Sequence, residues 1–307
     1  MRKNIRIGTR ESQLAVWQAT QVKELLEQNG FAAELVLIKS EGDLDLQTPL
    51  YEMGVQGIFT RSLDTALLNN EIDVAVHSMK DVPTQPAIGI VQSAVLKRAS
   101  YKDLIVYKND ISFLDDFNST AIIATSSTRR KAQWLNRYPN HTIENLRGNV
   151  NTRLRKAEEN NWHGAIFAAA GLERINLRPE NSIELNWMLP APAQGAIMVV
   201  CREADDFCLK ACNLLNDSDT ALCTAIERDF LRTLLGGCST PISALAEIKN
   251  GTVYLKGNIL SPDGKQKAEI EITSFSHQSG EAGMKAAHEL LNKRGKEIAD
   301  KIRHAKK

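Results

Sequence analysis

Residues 5–38 read IRIGTRESQLAVWQATQVKELLEQNGFAAELVLI, and their pattern sets the fold class. Ile5 to Gly8 has the composition of a short strand. Ser12 suits a helix N-cap, and Leu14, Trp17, Val22, Leu25 and Leu26 form an apolar stripe at helical spacing as far as Asn29-Gly30. Glu34 to Ile38 is a second strand. The alternation continues outward: a helix over about 60–69, a buried strand at Asp73 to Val76, another strand at Ile88 to Leu96. A β-α-β-α-β order predicts a mainly parallel sheet with helices on its faces.

The pattern then repeats. Leu104 to Tyr107, Ala121 to Thr125, Thr142 to Asn145 and Gly164 to Ala168 read as strands, and 126–138 and 150–160 as helices. Leu189-Pro-Ala-Pro192 marks a crossing, after which the apolar strand Ala196 to Cys201 is expected to return to the first sheet. A helix follows over about 203–215. From Asp219 the style changes to one helix (220–235), three strands (241–248, 252–260, 266–273) and a C-terminal helix, an α+β unit. The expected division is 1–97 with 196–216, then 98–195, then 217–307. The stretch 40–58, with Gly42, Pro49, Gly54 and Gly57 and no clear period, is expected to be a functional or mobile loop.

Composition excludes several classes. Of 307 residues, 43% are hydrophobic and 24% charged, which rules out disorder as the main state. The net charge of +1 argues against nucleic acid as a partner, because a polyanion binder is far more basic. The first 17 residues lack an apolar h-region, and no apolar run approaches the ~18 residues of a membrane span. Five cysteines without regular spacing argue against a disulfide framework. A cytoplasmic protein is expected. No Gly-rich nucleotide loop, zinc-protease motif or nucleophile elbow is present, and Cys208 and Cys212 have no further pair to complete a zinc site.

Three features carry chemistry. Arginines recur at element ends: Arg10 after the first strand, Arg129 and Arg130 behind the capping pair Ser126-Ser127, Arg147 after the next strand, Arg153 one turn into the next helix, Arg174 after Gly171-Leu172. Ligands of open α/β sheets bind outside the carboxyl ends of strands. Arginine near a helix start opposes the helix dipole, so an anionic ligand explains the set better than helix stability does. Guanidinium recognises carboxylates in a planar, bidentate way. Any one of these arginines alone reads better as a surface arginine paired with a local acid; the set at strand and helix ends reverses that. His77-Ser-Met-Lys80-Asp81-Val-Pro83 follows a buried strand, and Asp81 can serve as an acid/base group, stabilise a developing cation, or cap a turn. Gly236-Gly-Cys238-Ser-Thr-Pro241 places a thiol on a loop, as nucleophile or attachment point.

These residues coincide with a known family. In order, Thr9-Arg-Glu-Ser-Gln-Leu-Ala15, Val76-His-Ser-Met-Lys-Asp-Val-Pro83, Thr125-Ser-Ser-Thr-Arg-Arg130, Leu146-Arg-Gly-Asn-Val150 with Arg153, Ala170-Gly-Leu-Glu-Arg174, Pro192-Ala-Gln-Gly-Ala196 and Gly236-Gly-Cys-Ser-Thr-Pro241 make the chain closely resemble the porphobilinogen deaminases (hydroxymethylbilane synthases). The resemblance implies two α/β lobes like those of type II periplasmic binding proteins plus a small α+β domain. It implies a monomeric transferase that joins four porphobilinogen molecules into hydroxymethylbilane for tetrapyrrole (haem) biosynthesis, without nucleic acid, membrane or metal. It implies a covalent dipyrromethane cofactor on Cys238, held also by Lys80, Ser126, Ser127, Arg129, Arg130 and Arg147. Asp81 is implied as the catalytic carboxylate, and Arg10, Ser12, Arg153, Arg174 and Gln194 as substrate contacts.

The chain departs from the family pattern at Gln56 and at Arg61-Ser62, where the family carries lysine and a Lys-Glu pair, and at Ser100, Lys102 and Ala124. Arg61 is expected to supply part of the charge absent at Gln56. A cytosolic binding module for a polycarboxylate is the competing reading. Cys238 separates the two, since a pure binder has no use for a loop thiol.

Overall fold

The computed structural model describes residues 4–40, 60–234, 240–275 and 280–304. In chain order the first elements are β1 (Ile5–Arg10), α1 (Gln13–Gln28), β2 (Ala33–Ile38), α2 (Arg61–Leu68), β3 (Val74–Ser78) and β4 (Ile90–Val95). Next come β5 (Asp103–Tyr107), β6 (Ile122–Ala124), α3 (Thr128–Arg137), β7 (Thr142–Glu144), α4 (Val150–Glu159), β8 (Gly164–Ala168), α5 (Ala169–Glu173) and β9 (Ser182–Glu184). The chain continues with β10 (Ile197–Arg202), α6 (Asp206–Asn213), α7 (Ser218–Thr233), β11 (Ile242–Lys249), β12 (Thr252–Leu260), β13 (Lys267–Phe275), α8 (Ala282–Leu290) and α9 (Lys296–His304).

Local chemistry explains these elements. Ser12 caps α1, its hydroxyl accepting from the Ala15 N–H at 3.4 Å. The fully buried face of α1 is Ala15, Gln18, Ala19, Val22 and Leu26, while Trp17 and Leu25 of the expected stripe flank it, half-buried against the same core. Small residues at 15 and 19 let the helix lie close on the sheet. Ser127 and Asn149 cap α3 and α4 in the same way, accepting from the N–H groups of Arg130 and Thr152.

Both five-stranded sheets share one plan. The first runs β2-β1-β3-β10-β4 and the second β7-β6-β8-β5-β9. In the first, β1 is parallel to β2 and β3, and β10 is antiparallel to β3 and β4. In the second, β6 is parallel to β7 and β8, and β5 is antiparallel to β8 and β9. Each lobe therefore has four strands running one way and one reversed strand inserted next to the edge, the type II periplasmic-binding-protein arrangement. As expected, β10 returns to the first sheet, with Ile197 opposite Ser78 and Cys201 opposite Val74.

The third sheet, β11-β12-β13, is an antiparallel meander. The helix expected at the C-terminus is two helices, α8 and α9, broken at Lys293 (φ −85°, ψ −130°). The five-residue α5 and three-residue β9 were not expected, because elements so short show no period. The chain divides into two compact units. One holds the described residues up to 99 with 195–222; the other holds 100–194 with those from 223 onward. The second lobe and the third sheet thus form one unit, and the break between the two units falls inside α7. Among the described residues no helix is long and apolar enough to cross a membrane.

Candidate active site

In the first unit the carboxyl ends of β1 and β3 lie side by side, since Gly8 pairs with Ala75. Arg10 ends β1 and Ser12 begins α1. β3 ends at Ser78 and turns at once into a single 3-10 turn, Met79–Asp81. Met79, fully buried, pins this turn: its N–H donates to the Ala196 carbonyl at 3.0 Å, and its carbonyl accepts from Val82 at 3.2 Å. Gln18 reaches from the buried face of α1 to the Ser78 hydroxyl at 2.9 Å. Lys80 and Asp81 are half-buried at the outer side of that anchored turn. Gln18 was not singled out in the sequence, where it reads as one more polar helix residue.

His77 sits in this corner, buried, with its Nε2 lacking a hydrogen-bond partner among the described residues. Burial, and then the Arg10 cation, push the imidazole down to about 3. The unfolded chain takes up this proton near pH ~6.5, so folding stability falls as pH drops from about 6.5 toward 3 and is whole above that window. A His77→Asn variant is expected to show a shallower loss of denaturant resistance between pH 7 and 4 than the wild type. Equal slopes would refute this.

The second unit gathers the arginines. β6 leads into Ser126 and Ser127, with the Ser126 hydroxyl donating to the Leu146 carbonyl at 2.7 Å and Ser127 capping α3. Arg129 and Arg130 occupy the first turn of α3, and both are buried. β7 leads to Arg147, also buried, and then Gly148, whose φ of +115° is open to glycine and strained for other residues. This turn lets Asn149 cap α4, which carries Arg153 in its first turn. β8 leads to α5 and Arg174, whose guanidinium burial pulls down to about 10, partly offset by Glu173.

The reversed strand supplies the counter-charge. Because β5 runs against β8, its first residue, Asp103, lies opposite Ala168 at the carboxyl edge of the sheet. Asp103 is fully buried. One oxygen accepts from Arg130 Nε and Nη2 at 3.0 and 2.7 Å, and the other lies 2.7 Å from Arg129 Nη2. Burial alone would raise this carboxyl, but Arg129, Arg130 and the Arg130 and Gln194 hydrogen bonds outweigh it and hold it at about 2. Arg130 also donates to the Ile166 carbonyl at 2.9 Å and Arg129 to the Leu189 carbonyl at 2.8 Å.

Gln194 was expected to face substrate. It is buried, and its amide donates to Asp103 at 3.0 Å and to the Tyr101 carbonyl at 2.7 Å. It stands in the structure as a brace within the arginine cluster. Asp103 itself was not anticipated. An acid opening an apolar strand reads as a loop residue until the strand is known to be inserted in reverse. The remaining departures lie outside this cluster: Lys102 pairs with Glu184 at 3.3 Å, and Arg61 is exposed in the first turn of α2. Gln56, the 40–58 stretch beyond Ser40, and Cys238 with its two glycines lie outside the described residues.

One lobe thus bears a carboxylate on an anchored turn and the other buried guanidiniums at its sheet's carboxyl edge. The chain belongs to the porphobilinogen deaminase family: residues 5–210 match "Porphobilinogen deaminase, dipyromethane cofactor binding domain" and residues 221–292 match "Porphobilinogen deaminase, C-terminal domain". It is 39% identical to the porphobilinogen deaminase of Chlorobium phaeobacteroides, with 99% of each chain covered. It is 40% identical to the chloroplastic porphobilinogen deaminase of Oryza sativa, over 97% of this chain and 86% of that one. It is 43% identical to a probable porphobilinogen deaminase of Methanocaldococcus jannaschii, over 87% of this chain and 92% of that one.

Proposed function

We propose that this chain condenses four porphobilinogen molecules, with loss of ammonia at each addition, into hydroxymethylbilane on a dipyrromethane group joined by a thioether to Cys238. The observation that carries the reading is the cluster around Asp103. Arg129 and Arg130 are each under a tenth exposed, and these two guanidiniums face one carboxylate. A buried excess of positive charge calls for anionic ligands. Porphobilinogen and dipyrromethane carry acetate and propionate side chains, so these residues fit the group. Bound there, dipyrromethane supplies the pyrrole carbon to which an incoming unit is joined.

The chain's own residues do the rest. Arg129, Arg130 and Arg147, with Lys80 and the hydroxyls of Ser126 and Ser127, hold the carboxylates of the cofactor. Arg10, Ser12, Arg153 and Arg174 hold those of the substrate. Asp81 stabilises the positive charge that develops on the pyrrole nitrogen as the amino group of the aminomethyl arm leaves as ammonia, its methylene carbon staying on the ring to form the bond to the next pyrrole. Gln194 holds Asp103 and is a further contact to substrate. The three sheets correspond to three domains, the third presenting Cys238. The protein works as a monomer in the cytoplasm, and its net charge of +1 supports a small-molecule ligand over a polyanion.

Intact mass with peptide mapping tests the reading. Wild-type protein is expected to carry two pyrrole units on the Cys238 peptide, absent in Cys238→Ser, and to release ammonia from porphobilinogen. An unmodified wild-type mass without turnover would leave a polycarboxylate-binding module.

A further inference from the structure

The segment 189–194 closes the second lobe, and side chains from several elements grip it. Gln133 of α3 binds Leu189 both ways, its carbonyl oxygen accepting from the Leu189 N–H and its amide donating to the Leu189 carbonyl, each at 2.9 Å. The same amide reaches Ser243 of β11 at 3.0 Å. At the other end stands Glu227 of α7. This carboxylate is fully buried. One oxygen accepts from the Ala193 N–H at 2.6 Å and the other from the Ala246 N–H of β11 at 2.8 Å.

Ala193 adopts φ +61° although it carries a side chain, a conformation that persists only where neighbours enforce it. The next residue is Gln194, whose amide bridges Asp103 and the Tyr101 carbonyl. A buried acid in the middle of a helix is costly unless its polar atoms are hydrogen-bonded. Here two N–H groups from separate segments each take one of its oxygens, so one side chain ties both segments to α7. A glutamine would offer one acceptor and turn its NH2 toward the second N–H.

We propose that Glu227 is a positioning residue for the arginine cluster: by fixing Ala193, it sets Gln194 against Asp103 and so aligns Arg129 and Arg130 for carboxylates. This rests on the reading of that cluster as a carboxylate cradle. It gives the C-terminal part of the chain a role besides carrying Cys238, because α7 and β11 brace the cradle from below.

Cofactor loading tests it. In Glu227→Gln the fraction of purified protein that carries the two-pyrrole adduct, read by intact mass, is expected to fall roughly tenfold with kcat per loaded molecule within about threefold, since the cofactor's anchorage and not Asp81 is disturbed. Gln194→Ala should load poorly as well, and the double variant should load no worse than the poorer single variant, because both act through one contact. Wild-type loading in Glu227→Gln, or effects of the two changes that multiply, would overturn the proposal. Wild-type loading in Arg129→Ala and Arg130→Ala would overturn the cradle itself, and the positioning role with it. Should Glu227→Gln not fold, hydrogen exchange on the wild type decides: the Ala193 amide is expected to be as protected as those of β11, and exchange at exposed-loop rates would refute the role.

Discussion

Asp81→Asn is expected to lower kcat by roughly 10²–10³ while leaving the fold intact. The magnitude is that of removing one preorganised electrostatic partner from a developing charge. The structure gives the reason for preorganisation. Asp81 lies on a single 3-10 turn whose first residue, Met79, is fully buried and hydrogen-bonded to Ala196, and the preceding Ser78 is tied to Gln18. The turn is fixed from both sides, so the carboxylate meets the cation without reorganising. Asparagine keeps the shape and the capping capacity, and Asp81 is half-buried, so the change in stability should stay within about 0.5 kcal/mol. KM should change little, because the arginines hold the substrate carboxylates. Single-turnover ammonia release beside a thermal melt checks the prediction. Wild-type turnover in Asp81→Asn would remove Asp81 from the chemistry.

Asp103→Asn should act the opposite way, on stability first. The variant leaves Arg129 and Arg130 buried without their counter-charge. Losing one member of a buried ion pair costs about 3–5 kcal/mol, which corresponds to a Tm lower by roughly 10 °C. Retention of the dipyrromethane group should weaken as well, since the guanidiniums proposed to hold its carboxylates are no longer aligned. Acid has the same effect on the wild type. The Asp103 carboxyl titrates at about 2 in the folded chain and near ~3.9 in the unfolded one. Its contribution is present above pH ~4 and is lost as pH falls toward 2. Below pH ~4 the melting difference between wild type and Asp103→Asn should therefore shrink. A difference that persists unchanged at pH 2.5, or a variant as stable as wild type at pH 7, would show that the pair does not work this way.

Much of the fold is legible in the chain itself, for identifiable reasons. Ser12, Ser127 and Asn149 announce helix starts because a capping hydroxyl or amide acts within three residues. Strand and helix alternation is local for the same reason: period and burial are properties of neighbouring residues. The candidate arginines could be picked out because each follows a strand or opens a helix, and parallel strands bring such positions to one edge of a sheet. What escaped were short elements, α5 and β9, and every residue whose role depends on a distant partner. Gln18 matters through Ser78, sixty positions away. Glu227 matters through Ala193 and Ala246.

The sequence by itself thus determined the two α/β lobes, the return of β10 and the set of arginines, through motifs each carried by a few adjacent residues. Only the tertiary structure decided what those arginines face. The reversed insertion of β5 places Asp103 at the carboxyl edge of its sheet, and there it pairs with Arg129 and Arg130. Gln194 donates to Asp103 and completes that pair. Strand direction and insertion order are settled by long-range pairing, and a buried charge must find its partner wherever that pairing brings one.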